Sequence, residues 1–366
     1  IEVNPDEMRI LLFTSGTTGK AKGVCLSHRN ICSNLLSTYG IVKVKRSDVF
    51  FSVLPLHHTY ECTLGFLLPI YSGACIAYCE GLKHISQNMQ EYHPTVILSV
   101  PLLLENIYKK IIKTLNTSLP EKYRKPNNEN PFDSLPGYLK PIVKAKIKNS
   151  LGGRLRVFIV GAAATNPIIV HDFDNLGLNT LQGYGLTECS PLVAGNNDFY
   201  KKDDSAGLPI PNVEYKIYEP NSEGIGEIIV KGPNVMLGYY NDEEETNRVL
   251  KDGWFHTGDL GRIDENQFLY ITGRCKSVIV TKNGKNIYPE EVEFYLNDNP
   301  LVSESLVLGI QKENDDETYI NAQIFPNIEA ITEYLKGTVP TKEEIKKLIS
   351  DVVQSVNKKL PNYKHI

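Results

Sequence analysis

The chain has 366 residues, enough for two to three domains and for several buried cores without disulfide or metal staples. Lys and Arg number 39 against 43 Asp and Glu, a formal net charge of −4, with 22% charged and 41% hydrophobic residues. These values exclude collagen-like, disordered and coiled-coil classes, and they argue against a dedicated nucleic-acid binder, which carries a basic excess.

Residues 9–13, 49–54, 74–78, 95–100 and 155–160 are short apolar or β-branched runs and predict strands. Between them, residues 27–39, 83–92, 101–112 and 166–176 predict helices, with Ser27, Pro101 and Asn166 at start positions. Strand then helix, repeated, implies an α/β fold whose parallel-rich sheet carries helices on both faces. The uncharged stretch from Cys62 to Cys79 is broken by Gly65, Pro69, Ser72 and Gly73. It predicts a buried helix followed by a buried strand rather than a membrane span.

Residues 114–137 carry Pro120, Pro126, Pro131 and Pro136 among several Asn, and predict an exposed loop or insertion within 113–150. Residues 109–156 hold twelve Lys or Arg against three acids. That excess is either a solvated helical face or a contact with an anionic membrane surface. Beyond residue 205 the pattern changes to strands at 213–218, 227–231 and 268–272, separated by Gly-rich turns. Beyond 275 it changes again to an α+β pattern: a strand at 278–281, a helix opened by Pro289, strands at 305–309 and 319–325, and a helix at 341–358. Three segments are therefore expected: an α/β subdomain at 1–204, a β-rich subdomain at 205–274, and an α+β module at 275–366.

The seven Cys form neither a CxxC pair nor a zinc-type spacing, so reduced thiols and a cytoplasmic location are expected. Opening at Ile1 directly before a strand-like run is expected of the interior of a longer protein.

The strongest local signal is Thr14-Ser15-Gly16-Thr17-Thr18-Gly19-Lys20-Ala21-Lys22-Gly23, directly after an apolar strand. Three glycines, four hydroxyls and two lysines suit a polyphosphate. A Walker A loop requires Gly where Thr14 stands and Ser or Thr where Ala21 stands, so an ordinary P-loop is excluded. The segment resembles the phosphate loop of the acyl-adenylate-forming enzymes, [ST]-S-G-[ST]-T-G-x-P-K-G, with Ala21 in place of the usual proline.

The later motifs of that family follow in order. In Gln182-Gly183-Tyr184-Gly185-Leu186-Thr187-Glu188, an aromatic between two glycines suits a purine face. The resemblance implies that Thr187 contacts phosphate and that Glu188 holds Mg²⁺, for which a carboxylate oxygen is the right ligand. Gly161-Ala162-Ala163 looks like the family's adenine-binding turn, with Ala162 where a second glycine is common. Trp254-Phe255-His256-Thr257-Gly258-Asp259 matches W-x-x-T-G-D, which implies ribose binding by Asp259. By the same resemblance Arg274 assists ribose or phosphate binding, Lys276 is the hinge of a mobile terminal module, and Gly284 helps bind the thiol acceptor.

The resemblance implies a two-step ligase that uses ATP, Mg²⁺ and coenzyme A. A carboxylate attacks the α-phosphate of ATP to give acyl-AMP, and a thiol then displaces AMP. Lys22, Glu188 and the loop hydroxyls serve the first step by positioning and charge neutralisation. Leu54-Pro55-Leu56-His57-His58-Thr59-Tyr60-Glu61 is similar to the form found in long-chain fatty acyl-CoA ligases. It implies a fatty acid as substrate, with His58 near the carboxylate or the mouth of an acyl tunnel; a purely structural His58 is the alternative. Aryl acids, amino acids, or a nucleotide-binding module without full catalysis are the other readings. Neither Lys359 nor Lys364 lies in the P-K-T-x-x-x-K-I context of the family's terminal lysine, so a fragment lacking full adenylation activity, truncated at both ends, is expected.

Overall fold

The computed structural model describes residues 2–14, 21–125, 129–281, 285–311 and 318–366. The chain begins with β1 (Met8–Thr14) and β2 (Lys22–Ser27), followed by α1 (His28–Ile41) and β3 (Val49–Ser52). A π-helical stretch, Glu61–Leu67, runs into α2 (Leu68–Ser72) and then β4 (Cys75–Tyr78). Next come α3 (Ile85–Tyr92), β5 (Val96–Ser99), α4 (Pro101–Ser118), α5 (Lys140–Ser150) and β6 (Val157–Val160). α6 (Pro167–Asn175), β7 (Asn179–Gly185), β8 (Leu192–Gly195) and β9 (Leu208–Pro209) follow.

The main sheet has seven strands in the order β4-β3-β5-β6-β7-β8-β9, parallel from β4 to β7 and antiparallel at β8 and β9. Its central strands are buried along their length, and alternate side chains enter two different cores. Phe51, Ile97 and Phe158 pack on one side with α4, α5 and α6, while Phe50, Val96, Leu98 and Ile159 pack on the other with α1 and α2. This two-sided burial is why these segments are continuously apolar rather than alternating. Ser27 caps α1: its hydroxyl accepts from the Asn30 N–H, and Asn30 Oδ1 accepts from the Ser27 N–H. Asn166 caps α6 ahead of Pro167 in the first turn, as its position in the sequence predicts.

Four expectations are corrected. First, β1 does not belong to the parallel sheet; it pairs antiparallel with β2, a strand the apolar pattern did not indicate because Lys22 and Gly23 interrupt it. Second, α4 runs to Ser118, six residues beyond its predicted end. Third, the segment after it is not simply an exposed loop: Phe132 (2% exposed) and Leu135 (4%) join the core of α4, and α5 buries Val143 and Ile147 there. Fourth, the strand expected to be buried after Cys62 is β4, a half-exposed sheet edge reached through a π-helical turn. Among the described residues no helix is long and apolar enough to cross a membrane.

The second half contains β10 (Glu214–Tyr218), β11 (Gly226–Lys231), β12 (Gly238–Tyr239), α7 (Glu243–Val249), β13 (Leu250–Lys251), β14 (Trp254–Ile263) and β15 (Leu269–Arg274). β12 adds to β2, so the first sheet reads β1-β2-β12. The remaining strands form a five-stranded sheet, β10-β11-β14-β13 with β15 on β14. The chain ends with β16 (Ile279–Val280), β17 (Asn286–Ile287), α8 (Pro289–Asn297), β18 (Val302–Gln311), β19 (Thr318–Pro326), α9 (Ile328–Tyr334) and α10 (Lys342–Asn357).

By compactness the chain divides into two units. The first comprises Ile1–Lys216, Ile229–Thr257 and Ile263–Tyr270; the second comprises Ile217–Ile228, Gly258–Arg262 and Ile271–Ile366. The second unit has its own core, in which α8 and α10 cover the β18–β19 ribbon through Val292, Leu296, Val307, Ile320, Val352 and Val356.

Candidate functional site

In the first unit, the β1–β2 pairing sets Thr14 directly opposite Lys22. Ser15, Gly16, Thr17, Thr18 and Gly19, and likewise Gly284, lie outside the described residues. The Lys22 ammonium pairs with the Glu245 carboxylate and sits 5.1 Å from the centre of the Tyr239 ring. Glu245 is also held by Arg248, whose Nε and Nη2 each donate at 2.5 Å, and together these cations lower its carboxyl to about 2. Asp242 caps α7 by accepting from the Glu245 N–H at 3.0 Å, which fixes the backbone of the residue that meets Lys22.

The Gln182–Glu188 motif lies at the end of β7 and in the 3₁₀ turn Thr187–Cys189 that follows it. Gln182 donates to the Asp203 carbonyl at 2.6 Å. The two glycines have a packing reason: a Cβ on Gly185 would stand 2.2 Å from the Pro191 carbonyl oxygen, and one on Gly183 would stand 2.9 Å from Leu192. Tyr184 between them is nearly buried in the β7–β8 pair. Thr187 Oγ1 meets Thr59 Oγ1 at 3.3 Å, and Tyr239 donates its phenol hydrogen to Glu188 Oε1 at 2.9 Å. Burial and the charges of Glu188 and Glu245 raise the Tyr239 phenol, so it remains the donor.

Gly161, Ala162 and Ala163 follow β6 directly. The Tyr60 ring lies against Gly161, where a Cβ would come within 3.4 Å, and its hydroxyl donates to the Ile159 carbonyl at 2.8 Å. Ala162 has φ +75°, in the left-handed region. His58 is exposed and stacks on His57 with ring centres 4.4 Å apart; the described residues offer its ring no hydrogen bond. Thr59 and Tyr60 thus connect the Leu54–Glu61 motif with two of the other motifs, whereas the ring contact of His58 is with its neighbour His57.

The second unit holds Asp259 in β14 and Arg274 in β15. Arg274 Nε donates to Asp259 Oδ1 at 2.8 Å; the Asp side chain is 9% exposed and the Arg 50%. Gly258, at φ +73°, donates its N–H to Glu227 Oε1 at 2.9 Å and accepts from the Cys275 N–H at 2.9 Å. Burial, with the charges of Glu227 and Asp259, pushes the Cys275 thiol up to about 11, which keeps it protonated and unreactive near neutral pH. Lys276 is exposed and lines a cavity of about 640 Å³ together with Glu290, Glu293 and Leu306.

Among the described residues no cluster of three or more His, Cys, Asp or Glu could form a complete metal cage. Glu188 fits Mg²⁺, which is commonly held by one or two carboxylates and completed by phosphate and water oxygens. It is half-buried, has one oxygen fixed by Tyr239, and pairs with no Lys or Arg among the described residues.

Tyr239, which joins Lys22 to Glu188, and Glu245 and Arg248, which form the ion-pair chain on the Lys22 side, lie outside the sequence motifs. A signal for them exists in Gly238-Tyr239-Tyr240-Asn241-Asp242, a turn ending in a helix cap, followed by three acids in the first helical turn. Nothing in it indicates that Lys22 is the partner.

The family model described as AMP-binding enzyme matches residues 1–240, and the chain belongs to that family. It is 35% identical over 309 residues to the peroxisomal long chain acyl-CoA synthetase 6 of Arabidopsis thaliana, covering 79% of this chain and 44% of that protein. It is 30% identical over 375 residues to the long-chain-fatty-acid–CoA ligase 6 of Mus musculus, covering 95% and 53%. The chain spans about half the length of the curated relatives it matches. Among solved structures, ATP-bound MatB from Rhodopseudomonas palustris superposes with a TM-score of 0.73 at 26% identity, covering all of this chain and 64% of that one. The o-succinylbenzoate CoA synthetase of Bacillus subtilis with its acyl-adenylate superposes at 0.75 and 24% identity, covering 99% and 64%; at that identity it supports the fold alone.

Proposed function

We propose that the protein activates a long-chain fatty acid with ATP, through an acyl-adenylate, and transfers the acyl group to coenzyme A. The observation that carries this reading is the convergence in one unit of Lys22 and Glu188 on Tyr239, with Thr187 beside Glu188 in the chain and against Thr59. A cationic ammonium, a hydroxyl and a carboxylate suited to Mg²⁺ are what an anionic triphosphate requires when a second anion must approach it. Magnesium, when bound, supplies neutralisation of the phosphate charge. In the first unit Lys22 adds a positive charge and Thr187 a hydroxyl donor; in the second unit, taken by itself, Asp259 with Arg274 offers an acceptor and donor pair suited to a ribose. The fatty acyl preference rests on the long-chain ligase relatives and on the Leu54–Glu61 motif.

The test is AMP release from ATP and Mg²⁺ with coenzyme A, across palmitate, octanoate, benzoate and an amino acid. Release driven by palmitate is expected. Release driven by benzoate or the amino acid alone would overturn the substrate assignment.

A further inference from the structure

Lys22 and Glu188 lie 166 positions apart in sequence, yet one side chain touches both. Tyr239 donates its hydroxyl to Glu188 Oε1 at 2.9 Å, and its ring stands 5.1 Å from the Lys22 ammonium. β12 carries Tyr239 against β2, with Tyr239 opposite Val24, so this arrangement is built on a paired sheet rather than on a loose loop. Thr246 Oγ1, one helical turn into α7, accepts from the Tyr239 N–H at 2.9 Å and ties the strand to the helix that bears Glu245.

Glu245 is the second contact of Lys22. The pair is largely shielded from water, with side-chain exposures of 14% and 16%, so it is not an ordinary surface ion pair. Breaking such a pair is costly when one charge is left alone. Glu245 would not be left alone, because both of its oxygens are held by the Arg248 guanidinium. The carboxylate therefore keeps a cation when Lys22 departs, and an incoming polyphosphate can supply Lys22 with a replacement anion. The exchange leaves every charge paired.

On the nucleotide-binding reading above, we propose that Tyr239 and Glu245 are positioning residues of the phosphate site. Tyr239 fixes the Glu188 carboxylate, and Glu245 holds the Lys22 ammonium until the phosphates of Mg·ATP replace it. Tyr239 acts through Glu188 and Glu245 acts through Lys22. Their effects therefore concern the triphosphate with its metal more than the nucleoside monophosphate.

The experiment is calorimetric titration of the 366-residue chain with Mg·ATP and, separately, with AMP. Tyr239→Phe keeps the ring beneath Lys22 and removes only the hydroxyl; Mg·ATP binding is expected to weaken about tenfold, the usual size of a lost hydrogen bond to a charged group, while AMP binding holds. Glu245→Gln removes the competing anion, and Mg·ATP binding is expected to tighten severalfold. Equal weakening of both ligands in Tyr239→Phe would indicate structural damage alone and overturn the inference, as would unchanged Mg·ATP affinity. Weaker Mg·ATP binding in Glu245→Gln would refute the holding role. A wild-type chain that binds neither ligand would overturn the nucleotide reading itself and this inference with it.

Discussion

Ser52 donates its hydroxyl hydrogen to Glu61 Oε1 at 2.5 Å, joining the end of β3 to the first residue of the π-helical turn. Glu61 is fully buried, and its Oε2 has no hydrogen-bond partner among the described residues. Gly65 accommodates it: a Cβ there would lie 2.5 Å from Glu61 Cδ. Burial pushes the carboxyl up to about 7, partly offset by the Ser52 hydrogen bond. Two residues of the Leu54–Glu61 motif that touch other motifs, Thr59 and Tyr60, stand immediately before this anchor.

A pH dependence of stability follows. The unfolded Glu61 releases its proton near 4.5 and the folded one near 7, so between these values the native state holds a proton that the unfolded state has lost. The stabilisation is fully present below about 4.5 and is lost as the pH rises through about 7, to a total on the order of 3 kcal/mol. Urea unfolding of the wild type and Glu61→Gln at pH 5 and pH 8 measures it. The wild type is expected to lose more stability than the variant over that range; the same loss in both would rule out Glu61 as the source.

Ala162 occupies a left-handed backbone conformation at φ +75°, where a Cβ costs roughly 1–2 kcal/mol. Replacing it with glycine removes that cost and adds some unfolded-state freedom. The expected outcome for Ala162→Gly is a net gain of about 0.5–1 kcal/mol in urea unfolding. A loss of stability would show that the methyl group makes contacts worth more than the strain.

Much of this arrangement is legible in the sequence, and the omissions have physical causes. β3, β5 and β6 are recognisable because burial on both faces makes them continuously apolar. α1 is recognisable because Ser27 caps it. Thr187, Glu188 and Asp259 stand out in the sequence because the motifs that resemble the family's each span only a few consecutive positions. The contacts among motifs do not. Lys22 and Glu245 are 223 residues apart, Thr59 and Thr187 are 128 apart, and no local pattern encodes such meetings. β14 escaped because Gly258 and Asp259 interrupt its apolar character, although it is the strand that presents the ribose candidate. The burial of Phe132 and Leu135 depends on α4 continuing past its predicted end, which the later prolines and asparagines obscure.

Asp259 is nearly buried, and Arg274 holds one of its oxygens from a more exposed position. A ribose bound there would gain charge-assisted hydrogen bonds, each worth about 1.5–3 kcal/mol. Asp259→Ala is therefore expected to weaken AMP binding about tenfold or more in a titration, with the melting transition of the chain preserved. AMP affinity equal to the wild type would remove Asp259 from the nucleotide site.

The glycines of the Gln182–Glu188 motif offer a test of whether packing or ligand contact dictates them. A Cβ on Gly185 would lie 2.2 Å from the Pro191 carbonyl oxygen and 2.8 Å from its carbon, both backbone atoms that cannot swing aside. By contrast Gly177, just beyond α6, has nothing within 4 Å, and its φ of +83° is the only obstacle to a side chain. Gly185→Ala is expected to destabilise the chain by about 3 kcal/mol through overpacking between β7 and β8, and Gly177→Ala by only about 1 kcal/mol through backbone strain. Urea unfolding midpoints of the two variants measure the difference. If Gly185→Ala unfolds like the wild type while losing nucleotide binding, the glycine is there for the ligand and not for the strand pair.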